Sequence, residues 1–478
     1  MPRYRYEYLE LELKQQIRSG YLQTGDRLPS IRSLCRDYQV SKATVLHALH
    51  RLESEQLVQA RPKSGYFVRT PEYESPLPTR VQTPKTPAPV SVSAIFRDIM
   101  SQGAAFDILP AASQQDSLPQ LTQLNRLIGR QMRLHPEQKA GYYDESAGKY
   151  SLRTALSTHL RQRKLRVAPE NICITSGCQH SLFIALMITC QPGDTVAVES
   201  PAFYGVLQIM EQLGLNIIEI SGDPVSGIDI QELQEQLTRW PIKACVVTPN
   251  FGTPAGSCIP PEQYASLVDL ACRNDFWLIE DDIYGDLAFS SAATAPLKSQ
   301  DNLQNEKVIL CGSVSKSLSR DLRVGWIIAG KLHNKALQMK LITQLASPQA
   351  IQEGLAQFIA EGHYRRHLSQ LRQKLQQQRD QLLAYLSQNW GKEIRYSQPD
   401  GGLCIWVQLP DTCDSQAAYR SLRAEGILLT PGTLFSAHGL YRHYLRLSFS
   451  QPLSAKRKAA LDRLFICVLE LSDETSCQ

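Results

Sequence analysis

Lys316 stands in the stretch 311–326, CGSVSKSLSRDLRVGW, directly after a β-like apolar run and among small hydroxyl residues. An amine that forms a Schiff base needs such a place: a strand end, close backbone and polar neighbours. Ser313, Ser315 and Arg323 supply donors for a phosphate cradle around it. On residue types alone, the same stretch also reads as a surface lysine in a serine-rich loop. Asp281 and Tyr284, in IEDDIY at 279–284, tilt the balance. A pyridine ring used as an electron sink needs a carboxylate to keep its nitrogen protonated, and it gains from a phenol beside its ring oxygen. Acidic pairs at strand ends also occur as metal sites or solvated turns. A metal reading lacks accompanying histidines here, so no metal is expected.

Three further segments carry weaker signals. Ser176, Gly177 and Cys178 follow a strand and open a helix, whose N-terminal N–H groups can bind phosphate. Phe203, after another strand, is placed to stack on a flat ring, although an isolated aromatic is more often core. Arg446, in YLRLSF at 444–449, fits a bidentate carboxylate clamp.

A separate chemistry lies near the N-terminus. Residues 1–70 hold twelve Lys/Arg against seven Asp/Glu, and the rest of the chain is balanced, so the whole net charge of +5 sits there. That asymmetry fits an anion-binding module on a neutral body, and equally a solvated basic surface. A helix entering the major groove needs short polar or basic residues at its N-terminal end. Ser41, Lys42 and Thr44 open such a helix, while Arg32 and Lys63 are placed for phosphates.

These residues need elements to hold them. Apolar spacing predicts helices over 6–19, 29–38 and 42–56, with a tight link at 39–41 and Ser41 as N-cap, which is a helix-turn-helix. Strands over 57–60 and 66–69 frame a basic tip, a wing. Residues 71–92 hold six prolines, which predicts an extended, semi-rigid linker. Beyond it, strands over 172–175, 195–199, 244–248, 277–280 and 308–312 alternate with helical stretches, which argues a mostly parallel α/β sheet. A helical stretch over about 351–389 leads to strands over 402–408 and 444–449 in a smaller α+β lobe. The expected domains are therefore 1–70, a linker 71–95, a large domain 96–350, and the helix with the small domain 351–478. The twelve cysteines show neither CxxC nor a Cys/His cluster and are expected to be reduced. No apolar run of ~18 residues occurs, so no membrane span is expected. The polar start lacks a signal-peptide layout, and cytoplasmic residence is expected.

The stretch 25–68, GDRLPSIRSLCRDYQVSKATVLHALHRLESEQLVQARPKSGYFV, resembles the winged helix of GntR-type regulators. By that resemblance Arg32, Ser41, Lys42 and Thr44 contact bases or phosphates, and the wing at Lys63 meets the minor groove. Gln56 stands where the family usually has glycine. The segments around Gly177, Phe203, Asp281, Lys316 and Arg446 resemble fold-type I aminotransferases over about 96–475. That resemblance implies pyridoxal 5'-phosphate as cofactor: an aldimine on Lys316, Asp281 on the pyridine nitrogen, and Tyr284 on the ring hydroxyl. Ser313, Ser315, Arg323 and the Gly177–Cys178 backbone hold the phosphate, Phe203 stacks, and Arg446 receives a carboxylate. Tyr143 matches a tyrosine lent across a homodimer to the partner's phosphate. Two departures stand out: Thr253 replaces the usual asparagine of the Asn-Pro-x-Gly loop, and Arg320-Asp321 replaces Pro-Gly. The fusion as a whole resembles the MocR group. It implies a transcription regulator that binds double-stranded DNA and senses pyridoxal phosphate or an amino acid or amine. The alternative is a working aminotransferase with an accessory DNA-binding domain, and the resemblance leaves enzymatic turnover open.

Overall fold

The computed structural model describes residues 5–18, 22, 25–54, 57–61, 64–69, 76–90, 99, 108–109, 119–134, 145–290, 294–301 and 306–476. The chain divides into two units: Met1–Ser75 with Gln376–Trp390, and Pro76–Leu375 with Gly391–Gln478. One of its boundaries falls inside the proline-rich stretch.

In the first unit, helices α1 (Arg5–Arg18), α2 (Ile31–Asp37) and α3 (Lys42–Ser54) precede strands β1 (Val58–Arg61) and β2 (Gly65–Val68). The caps are local. Ser30 Oγ accepts the Ser33 N–H at 3.1 Å, and Ser41 Oγ accepts the Thr44 N–H at 3.2 Å, each satisfying an orphan donor of a first helical turn. Between the helices Gln39 takes a left-handed φ of 51°, which makes the tight link. Leu9, Leu13, Leu34, Val45, Leu49, Leu52, Val58 and Val68 close one core over the helices and the antiparallel hairpin. The expected helix-turn-helix and wing are both present. Gln56 and Lys63 lie outside the described residues.

The second unit is built on a nine-stranded sheet. Its strands are β3 (Ala88–Pro89), β4 (Cys173–Thr175), β5 (Thr195–Ser200), β6 (Asn216–Asp223), β7 (Gly227–Ile228), β8 (Ile242–Val247), β9 (Trp277–Asp281), β10 (Val308–Ser313) and β11 (Gly325–Ile328). The order is β3-β6-β5-β8-β9-β10-β11-β4, with β7 on β6. Strands β6, β5, β8, β9 and β10 run parallel, while β11 is antiparallel to both neighbours. Strand residues are apolar on both faces because helices cover both. Val196, Val198 and Ile309 pack with α6 (Cys178–Thr189), α7 (Tyr204–Gln212) and α10 (His333–Thr343). Ala197, Ile218 and Cys245 pack with α8 (Ile230–Arg239) and α9 (Tyr264–Arg273). A third cluster joins α4 (Pro119–Leu134), α5 (Tyr150–Gln162) and α11 (Gln349–Ala360) to Ile174 and Trp326. The small lobe is a four-stranded antiparallel sheet of β12 (Arg395–Tyr396), β13 (Cys404–Gln408), β15 (Tyr444–Ser448) and β14 (Thr430–Pro431), in that order.

The helix expected over 351–389 is two helices, α11 and α12 (His363–Asn389). Gly362, at φ 77°, ends the first, since a left-handed residue closes a helix and glycine takes it at no steric cost. Strands β3, β6, β7, β11, β12 and β14 are additions to the expected set.

Candidate functional site

In open α/β sheets the ligand crevice lies beyond the carboxyl ends of the parallel strands. Four such ends deliver the residues singled out above: β5 leads to Phe203, β8 to Thr253, β9 ends on Asp281, and β10 leads to Lys316. β4, reversed twice relative to β10, points the same way and delivers Gly177 at the start of α6.

Asp281 is buried, and its Oδ1 accepts from the Cys178 thiol at 2.9 Å. Burial pushes its carboxyl up to about 6, against the hydrogen bonds from Cys178 and the Ile283 backbone. Tyr284 is also buried, and burial raises its phenol. The Lys316 amine is held well below the usual lysine range, first by burial and then by the charges of Arg320 and Arg446. A neutral amine is the form that attacks carbon.

A cradle stands next to these groups. Ser313 Oγ lies 2.8 Å from Ser315 Oγ, accepts the Ser315 N–H at 3.1 Å and donates to the Val324 carbonyl. Arg323, at a left-handed φ of 50°, donates from Nη2 to the Ser176 carbonyl at 2.7 Å. Gly177 has φ 105°, a conformation L side chains rarely adopt, which favours glycine there, and a Cβ would stand 2.9 Å from that Nη2. No side chain caps α6, which leaves its first N–H groups available to an anion. Phe203, Thr253 and Asp281 line one cavity together with Glu199, Thr248 and Ser257. Burial lifts the Glu199 carboxyl to about 7. Thr253 Oγ1 is 3.5 Å from Cys404 Sγ. Arg446 is buried on β15, with its guanidinium over the Phe435 ring at 5.6 Å and Nη2 3.5 Å from Thr430 Oγ1.

The donor set fits pyridoxal phosphate. A buried carboxylate suits a pyridinium, a lysine whose amine burial holds below its usual range suits its carbonyl carbon, and the Gly177–Arg323–Ser313 cradle suits its phosphate. Tyr143 lies outside the described residues.

Sequence reasoning missed the support behind these groups. Arg163, buried, grips Asp282 through both terminal nitrogens at 2.5 and 2.7 Å. Gly285 makes room for it, since a Cβ there would meet Arg163 Nη2 at 2.0 Å. Asp286 bonds His159 at 3.0 Å and accepts from the Tyr364 hydroxyl at 2.9 Å. Although burial opposes it, His159 and Arg163 hold the Asp286 carboxyl well below the usual range. The same Tyr364 hydroxyl lies 2.7 Å from Ser317 Oγ, and His367 donates to the Ser317 carbonyl at 2.9 Å. One polar cluster therefore braces both the Asp281–Tyr284 segment and the residue after Lys316.

On the first unit, Arg32, Ser41 and Lys42 are exposed and Thr44 half-buried, all near the start of α3 or on α2. Among the described residues no group of histidines, cysteines and carboxylates is placed to hold a metal ion. No described helix is long and apolar enough to cross a membrane. Among the described residues, none of the eleven cysteines is in a disulfide.

Residues 112–464 match the family described as aminotransferase class I and II, and residues 5–68 match the bacterial regulatory proteins of the gntR family. The chain is 34% identical to the uncharacterized HTH-type transcriptional regulator YjiR of Escherichia coli K12, over 96% of this chain and 98% of that one. It is 27% identical to the HTH-type transcriptional regulator TauR of Rhodobacter capsulatus, over 92% and 93%. Among solved structures it is similar to Pyrococcus horikoshii kynurenine aminotransferase in complex with PMP. That match has a TM-score of 0.71 and 27% identity, and covers 80% of this chain and 95% of that one. LysN, the α-aminoadipate aminotransferase of Thermus thermophilus, complexed with N-(5'-phosphopyridoxyl)-L-leucine, gives 0.70 and 25%, over 79% and 95%.

Proposed function

Because this chain belongs to the MocR-type regulators, a gntR-family winged helix fused to an aminotransferase class I and II domain, we propose that it is a pyridoxal-phosphate-dependent transcription regulator that senses an amino compound at Lys316. The observation that carries this is the convergence of Lys316, Asp281, Tyr284 and the Gly177–Arg323 cradle at the strand ends, on a chain whose residues 5–68 form a DNA-binding domain.

Pyridoxal phosphate, when bound, supplies an electrophilic carbon that exchanges one amine for another and a ring that withdraws electrons. The residues do the rest. Asp281, held by the Cys178 thiol, keeps the proton on the ring nitrogen. Tyr284 and Thr253 would bind the ring oxygen, and Phe203 would pack on the ring. Ser313, Ser315, Arg323 and the Gly177–Cys178 backbone bind the phosphate. Lys316 would hold the cofactor at that carbon, and Arg446 would receive the carboxylate of an amino compound bound beside it. As a homodimer, the protein would use Tyr143 toward the phosphate held by the other protomer. Arg32, Ser41, Lys42 and Thr44 meet the major groove and its phosphates, and Lys63 the minor groove. The protein works in the cytoplasm, where its DNA is. An effector acts only through a difference in affinity between two conformations.

The second reading, turnover as an aminotransferase, is favoured by the intact Lys316, Asp281 and Arg446 set. Binding of the full chain to its own promoter DNA, titrated with pyridoxal phosphate and a panel of amino acids, separates the two. Specific binding that shifts fivefold or more with one of them supports regulation. Ordinary enzymatic turnover of a common amino acid, with no specific DNA binding, overturns it.

A further inference from the structure

Residues 76–90 are extended, as their prolines require, yet they are bound along their length to the rest of the second unit. The start of the stretch is bound to the small lobe. The Thr79 N–H donates to Gln408 Oε1 at 2.7 Å, and its hydroxyl donates to the same oxygen at 3.1 Å. The Tyr444 hydroxyl donates to the Thr79 carbonyl at 3.0 Å and lies 2.9 Å from its Oγ1. From the next residue on, the stretch belongs to the large domain. Arg80 pairs with Asp229 at 2.6 Å and Glu232 at 3.0 Å, and Lys85 pairs with Glu232. Thr83, buried, donates to Glu232 at 3.1 Å. Trp240 donates to the Lys85 carbonyl at 3.0 Å, and Ala88 and Pro89 add an edge strand to β6. Burial alone would raise the Glu232 carboxyl, but its hydrogen bonds from Lys85, Ser221 and Thr83 bring it below the usual range.

Thr79 and Arg80 are consecutive, so one peptide unit of ~3.8 Å joins the two lobes. A lobe movement larger than the slack of that joint must break one set of contacts. The Thr79 set is also tied to the carboxylate clamp. Tyr444 and Arg446 are two apart on β15 and share a face. Between them runs an aromatic chain: Arg446 over Phe435, Phe435 against Trp406 at 5.4 Å, and Trp406 stacked on Tyr444 at 5.3 Å. Close-packed rings of this kind shift together.

We propose that residues 76–90 are a strap whose Thr79 end is released or held by movement of the small lobe on a carboxylate-bearing ligand, and whose 80–90 end is the fixed clasp. The strap leads back through the chain to residues 5–68, so its Thr79 end is where occupancy becomes a pull on the DNA-binding domain. This rests on the function proposed above.

The test uses the full-length protein, its promoter DNA and two probes. Pyridoxal phosphate has no carboxylate for Arg446, whereas N-(5'-phosphopyridoxyl)-L-leucine has one. In the wild type, the adduct changes hydrogen exchange of the Thr79 amide at least tenfold relative to pyridoxal phosphate, and leaves Val90 and its neighbours unchanged. It also changes the DNA Kd at least fivefold. In Gln408→Ala, which removes the acceptor of both Thr79 bonds, the Thr79 amide no longer responds, and in Gln408→Ala and separately in Tyr444→Phe the DNA response falls to less than twofold. The adduct's own Kd stays within about threefold, which shows a folded site. A variant that keeps the full DNA response overturns the strap and leaves the proposed function intact. A wild type that binds neither probe overturns the proposed function, and the strap with it.

Discussion

Replacing Asp281 with asparagine should change stability in opposite directions with and without cofactor. The Asp281 carboxyl is raised from 3.8 to about 6 because its charge is buried. The folded protein therefore holds that proton more tightly than the unfolded chain does. The resulting stabilisation is full below pH ~4, is lost as pH rises through about 6, and is absent at neutral pH. Two units at ~1.4 kcal/mol each make the ionised carboxylate cost roughly 3 kcal/mol in the cofactor-free protein. Asparagine removes the charge and keeps an oxygen for the Cys178 thiol, so the cofactor-free variant should gain roughly 1–3 kcal/mol at pH 7.5 and little at pH 4.5. With pyridoxal phosphate the sign reverses. A buried pair broken by removing one partner costs ~3–5 kcal/mol, so affinity should fall by a factor of ~100 or more. Urea unfolding at the two pH values, with and without cofactor, reads all four states. A cofactor-free variant that is less stable at both pH values, or cofactor affinity unchanged within threefold, refutes the reasoning.

Arg446→Ala should leave the pyridoxal phosphate Kd within about threefold and weaken carboxylate-bearing amino acids ~10-fold or more, with simple amines unaffected, as equilibrium titration of the bound chromophore would show. Arg163→Met leaves Asp282 and Asp286 buried without their guanidinium, so it should lose ~3–5 kcal/mol in urea unfolding; retention of wild-type stability would contradict the bracing role. Lys42→Ala should weaken binding to specific and random DNA alike and lower the salt slope by ~1, measured by fluorescence anisotropy across a salt series.

What the sequence revealed was local. The helix-turn-helix is written in neighbouring residues: the Ser41 cap, the Val45–Leu49–Leu52 stripe and the turn at Gln39. The chemistry of Asp281 and Lys316 was legible because a strand end and the next few residues carry it. Their support was not. Arg163 reaches Asp282 across 119 residues, and Tyr364 reaches Ser317 across 47, so no local pattern marks either. Strand β6 was passed over although it is apolar on either side of Glu219. That buried carboxylate is satisfied by Ser200, Ser436 and the Ala437 N–H, two of them more than 200 residues away. The prolines of 76–90 announced an extended chain correctly, but extension says nothing about what the chain lies against. The break at Gly362 was readable, since glycine is the residue that ends helices, yet helical periodicity on both sides hid it.

The central claim is that Lys316 holds pyridoxal phosphate in this regulator. The most direct measurement is the visible absorption spectrum of the purified protein before and after borohydride, beside Lys316→Ala, with the modified peptide identified by mass. A yellow band that borohydride removes, leaving the cofactor's mass on Lys316 and never seen in the variant, is the predicted result. A colourless protein that takes up no added pyridoxal phosphate would contradict the account and leave the aminotransferase-like domain as a scaffold for the DNA-binding one.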